Sequence, residues 1–69
     1  MKDFNVRVGN RVMTKRLELK WTREHLAFAA DINGRFLFDI ERGLKGMSAK
    51  TLYKLARALD VSADWLLDG

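Results

Sequence analysis

The sequence predicts an all-α fold, a compact domain of five short helices. Three observations carry that expectation. Apolar residues recur at spacings of three and four along most of the chain. A Thr, Asn or Ser stands just before four of the segments marked in this way, at Thr22, Asn33, Ser48 and Ser62. Proline, the residue that most often breaks such segments, is absent.

Residues 6–20 read as the first helix. Val8, Val12 and Leu19 share a face once Arg16 is placed between them, and Arg7, Arg11 and Lys15 form a neighbouring basic stripe. Trp21 covers the apolar face where this helix ends. Thr22 caps a second helix, in which Glu24 suits the helix dipole and Leu26, Ala27 and Ala30 point inward. Residues 31–33 form a turn, because Asp and Asn bond their own backbone and tolerate left-handed geometry.

The next stretch, NGRFLFDIERG at 33–43, supports two readings. Asn-Gly followed by alternating residues is a hairpin signal. Leu37, Ile40 and Glu41 are at helical spacing, and Gly43 resembles a helix stop. A lone hairpin among helices has no sheet to join and is marginal by itself, so context favours a helix at 34–42 with Asn33 as its cap. Residues 48–59 form the clearest helix, capped by Ser48, with Leu52, Leu55, Ala56 and Leu59 on its apolar face. Asp60 takes the position where glycine often ends a helix. Ser62 caps a last short helix with Asp64 near its start and Trp65 and Leu66 turned inward.

The bulk numbers narrow the function. Sixty-nine residues make one domain, spanning 1–69, which buries roughly 60% of its unfolded surface. There is no cysteine, which excludes disulfides and thiolate metal sites. Thirteen Lys and Arg against nine Asp and Glu leave a charge of +4, an attraction for phosphate polymers. No signal peptide and no membrane-length apolar run is present, so the cytoplasm is the default compartment. His25, the only histidine, lies off the apolar face of its helix and is expected in solvent rather than in catalysis. No Cys–His or Ser–His–Asp set, no phosphate-binding glycine loop and no metal-ligand cluster accompanies it. The chain is therefore expected to be no enzyme, and no cofactor, metal or small-molecule ligand is expected.

The second and third helices are separated by three residues only, the spacing of a helix-turn-helix unit at about 23–42. Such a unit needs apolar residues where its helices touch and a small one at their closest approach. Leu26, Ala27, Ala30, Ile32, Leu37 and Ile40 meet the first need, and Ala27 the second.

The stretch WTREHLAFAADINGRFLFDIERG resembles the DNA-binding motif of the Cro/repressor-type helix-turn-helix family. RVMTKRLELKW before it and ALDVSADWLLDG at the end resemble the N-terminal DNA-binding domains of lambdoid phage repressors. The resemblance covers about residues 8–69; DIERG and VSADWLL are its most specific parts. It implies a lambda repressor-like domain, bacterial or phage-encoded, that binds double-stranded operator DNA as a homodimer. It places Arg23 near a phosphate and Asn33, Gly34, Arg35, Phe38 and Asp39 at base edges of the major groove. Lys45 and Lys50 fall in and after a loop that touches the DNA backbone or the minor groove. It also implies a dimer contact around Ala63, Trp65 and Leu66, and an Arg16–Glu41 ion pair between the first and third helices. Arg16 on an apolar face needs such a partner, since a buried unpaired guanidinium is costly.

Three features depart from the family pattern. Asp31 stands where glycine is frequent, Gly34 replaces a polar reader, and Phe28 and Phe38 stand where polar residues are usual. Phe28 is expected at the core edge, shielding Trp21, and Phe38 outside the core. The reading is a sequence-specific DNA-binding transcriptional regulator, a repressor on a palindromic operator. The alternative is an antitoxin-like protein-interaction module, which an exposed cluster of Phe28, Phe36 and Phe38 would favour.

Overall fold

Five helices account for most of residues 2–68, the part of the chain that the computed structural model describes: α1 (Lys2–Glu18), α2 (Arg23–Ala30), α3 (Gly34–Glu41), α4 (Ala49–Leu59) and α5 (Ala63–Asp68). Among the described residues there is no strand, and NGRFLFDIERG is helical from Gly34. Its Asn33 side chain accepts hydrogen bonds from the amides of Arg35 at 2.8 Å and Phe36 at 3.2 Å. The cap satisfies two amides that a helix start otherwise leaves open. Thr22, Ser48 and Ser62 do the same for the amides of His25, Thr51 and Trp65.

The left-handed positions close the helices. Asp31 (φ 56°) and Asp60 (φ 57°) end α2 and α4, and their amides bond back to carbonyls near each helix end. Lys20 (φ 60°) turns the chain after α1. That turn corrects the expected end of the first helix. The helix stops at Glu18 instead of residue 20, so Leu19 leaves the inward face and is 38% exposed.

The core draws on every helix. Val12, Leu26, Ala27, Ala30, Leu37, Ile40, Leu55, Ala56, Leu59 and Leu66 form one buried cluster. Trp21, Ile32, Phe36 and Trp65 pack against its edge. α1 comes very close to α3 at Gly9: a Cβ there would lie 2.0 Å from the carbonyl oxygen of Ile40. Only glycine allows that approach. A helix-interior glycine ordinarily weakens a helix, so Gly9 marks the contact that fixes α1 on the C-terminal end of α3. Gly43, at φ 74°, turns the chain out of α3 beside Val6.

Phe28 is not at the core edge. It is 87% exposed. At about 100° per residue, Phe28 points away from Leu26 and Ala30, which both face the core, so α2 turns it to solvent.

Candidate nucleic-acid interface

The turn between α2 and α3 is fixed by backbone bonds from Asp31 to Phe28 and from Ile32 to Ala27, at 3.1 and 3.0 Å. With Leu26, Ala27, Leu37 and Ile40 buried beneath it, the unit holds α3 as a rigid element, and the N-terminal half of α3 lies at the surface. Asn33, Gly34 and Arg35 are exposed there. No atom lies within 4 Å of a Cβ built on Gly34, so this corner is open to an approaching backbone.

Beneath that surface lies a carboxylate that ties three helices together. Glu41 is almost fully buried, its side chain 1% exposed. Arg16 donates to it twice, from Nε to Oε2 at 2.7 Å and from Nη2 to Oε1 at 3.0 Å, and its Nη1 donates to the Trp21 carbonyl at 2.9 Å. Arg23 adds a third bond from Nε to Oε1 at 3.3 Å. One carboxylate thus ties α1, the start of α2 and the end of α3 together. Paired, hydrogen-bonded geometry of this kind lets ions stay buried. Every buried side-chain nitrogen or oxygen among the described residues has a partner.

Asp39 departs from its expected place on the outer face of α3. It is 6% exposed, because the chain after α3 folds back over it: the Leu44 amide bonds the Asp39 carbonyl at 2.9 Å, and Lys45 follows. Its carboxylate lies 3.4 Å from Arg35 Nε and 3.4 Å from Lys45 Nζ. Covered and doubly engaged, Asp39 holds two cations. Arg35 (side chain 79% exposed) and Lys45 (61%) project beyond it. Lys50 is exposed in the first turn of α4.

Phe38 is half-buried beside this charge. Three guanidiniums surround its ring, with Arg23, Arg35 and Arg42 at 5.0, 5.4 and 5.5 Å from the ring centroid. Arg42 is absent from the sequence-derived site, although its place one turn after Phe38 signals that the two can meet on a helix. Phe36 packs against the core, so Phe28, Phe36 and Phe38 form no exposed cluster.

In α5, Ala63 and Trp65 are half-buried, and the Arg11 guanidinium lies over the Trp65 ring at 3.9 Å. Leu66 is 0% exposed in the core of its own chain, as its inward position in α5 dictates. It supports α5 from within and has no surface to offer a partner. His25 is exposed, with its ring 4.4 Å from that of Trp21.

These features define a small all-α domain that presents a capped, arginine-bearing helix on a fixed helical partner. The sequence matches the helix-turn-helix family over residues 12–66, and the chain belongs to that family. It is 33% identical to the HTH-type transcriptional regulator DicA of Escherichia coli K12 over 69 residues, all of this chain and 51% of DicA. It is 36% identical to the control protein C.BamHI of Bacillus amyloliquefaciens, across 93% of this chain and 83% of that protein. Its fold is similar to the crystal structure of the restriction-modification controller protein C.AhdI from Aeromonas hydrophila. That match has a TM-score of 0.87 and 31% identity, covering 90% of this chain and 94% of the other. The chain thus spans about half the length of DicA and most of the length of the two controller proteins. No helix of the described residues is long and apolar enough to cross a membrane.

Proposed function

We infer that this domain is a DNA-binding transcriptional regulator that represses by occupying a palindromic operator as a homodimer. One observation carries the reading most directly: α3 is locked to α2 and to the core while its cap Asn33 and its first residues, Gly34 and Arg35, are exposed at the surface. A helix held in this way enters a major groove as a rigid body. Family membership supports the DNA-binding part of the reading, as do relatives that are a transcriptional regulator and control proteins.

The roles divide by chemistry. Arg35 donates twice to a guanine, through O6 and N7. Asn33 and Gly34 let the backbone approach the groove. Arg23, Lys45 and Lys50 neutralise phosphates, and they supply affinity without sequence preference. Asp39 draws Arg35 and Lys45 to one carboxylate and holds them in place. The homodimer forms through the outer surface of α5 around Ala63 and Trp65, since one helix of eight residues reads too few bases to select an operator alone. Repression follows from occupancy, because a dimer seated on a promoter excludes polymerase.

Fluorescence anisotropy of the domain with a selected duplex and a scrambled duplex tests the reading. Tight binding to the first and weaker, strongly salt-sensitive binding to the second is the expected result. Equal affinity for the two would overturn it. The protein-interaction alternative loses its motive, since Phe36 is packed and Phe38 is enclosed by arginines.

A further inference from the structure

We propose that Phe38 is a positioning residue for DNA binding: its ring gathers Arg23, Arg35 and Arg42 into one cationic seat, with Arg42 a contact to the phosphate backbone. The proposal rests on the DNA-binding reading above and changes the role of Phe38 within it. In place of the base edge that the family resemblance gives it, Phe38 acts through the arginines.

The three guanidiniums lie 5.0, 5.4 and 5.5 Å from the ring centroid, all within the range of a cation–π contact. A half-buried ring surrounded by three cations has little free surface for a base. Two of the cations have a second anchor. Arg23 bonds Glu41 and Arg35 pairs with Asp39, so each is held between a carboxylate and the ring. Arg42 is different. Among the described residues it has no ion-pair partner, and the ring is the group that fixes it.

Three like charges around one ring repel one another, and Glu41 also answers to Arg16. The cluster therefore favours an added anion. A phosphate polymer has that chemistry, and a flat guanidinium stacked on a ring keeps its donors free for a phosphate. Ordering the arginines before the encounter removes part of the entropy cost that flexible side chains incur on binding. Arg35 keeps its Asp39 partner and Arg23 its Glu41 partner when the ring is replaced, so the loss falls on Arg42 and its backbone contact: every duplex should weaken to a similar degree and the preferred sequence should stay the same.

The test uses the intact 69-residue chain. In the free protein, the guanidinium Nε–Hε resonances of Arg23, Arg35 and Arg42 should carry a ring-current shift. Phe38→Leu should abolish it and Phe38→Tyr should keep it. On binding, Phe38→Leu should lose roughly three- to tenfold in affinity on both the selected and the scrambled duplex, and Phe38→Tyr should restore it. In an Arg42→Ala background the Phe38→Leu loss should shrink, since the two act through one contact. If Phe38→Leu does not fold, Arg42→Lys carries the test. It keeps the charge and loses the planar stack, and the same uniform weakening is expected. Unchanged affinity in Arg42→Lys, additive losses, or a Phe38→Leu defect confined to one thymine position would each overturn the proposal. A wild-type chain that binds no duplex would overturn the DNA-binding reading as well, which separates the two failures.

Discussion

Arg16 and Glu41 meet face to face across the α1–α3 interface, in a bidentate pair with bonds of 2.7 and 3.0 Å. Glu41 also bonds Arg23, so the pair couples the core to the start of α2. Glu41→Gln keeps the shape and removes the charge, leaving Arg16 buried without its counter-ion. Urea denaturation should show a loss of about 3–5 kcal/mol. A loss below about 1 kcal/mol would mean that the pair is dispensable to folding.

Gly9 lies inside a helix, where Gly→Ala ordinarily stabilises by about 1 kcal/mol. Here the sign should reverse. The added methyl would meet the Ile40 carbonyl at 2.0 Å, and both partners belong to helix backbones that cannot swing aside. Gly9→Ala should destabilise by about 1–3 kcal/mol, read as a lower midpoint in the same urea titration. A stabilised variant would show that α1 sits farther from α3.

Asp60 gives the opposite sign. It is exposed at φ 57°, and no ion pair or side-chain hydrogen bond holds it among the described residues. Asp60→Gly should gain about 0.5–1 kcal/mol by relieving a left-handed conformation that glycine adopts freely. Asp31 has the same backbone but pairs with Lys54 at 3.7 Å, so the corresponding change there should gain less. Thermal melts of the two variants would rank them.

What was legible in the sequence was local. Thr22, Asn33, Ser48 and Ser62 announce four helix starts because a cap acts within three residues of itself. The inward residues of α2 to α4 follow from helical spacing; Phe28 was misplaced at the core edge, although about 100° per residue turns it away from Leu26 and Ala30 to solvent. Asp39 was not legible. It lies on a face that spacing alone calls outward, and it is covered only because the chain at Leu44 and Lys45 folds back over it. Leu19 fails for a similar reason: its periodicity is sound, but the helix ends one residue earlier. The arginines around Phe38 come from α2, α3 and the α3 end, and only tertiary packing brings Arg23 to that ring.

Base reading and backbone binding should separate by mutation. Arg35→Ala should cost about 1–3 kcal/mol on the selected duplex and relax one base position. Lys50→Ala should weaken all duplexes alike and reduce the salt dependence by about one unit. Lys50 is a cleaner choice than Lys45, whose removal also frees Asp39 and through it Arg35. Anisotropy titrations at several salt concentrations distinguish the two outcomes.

The central claim is that α3, carried by a homodimer, reads a palindromic operator, and selection from a random duplex pool tests it most directly. Enrichment of an inverted repeat is expected, with half-site centres about one helical turn apart, roughly 34 Å, and a guanine at the position lost in Arg35→Ala. Enrichment of a single non-palindromic half-site, or of no sequence at all, would contradict it.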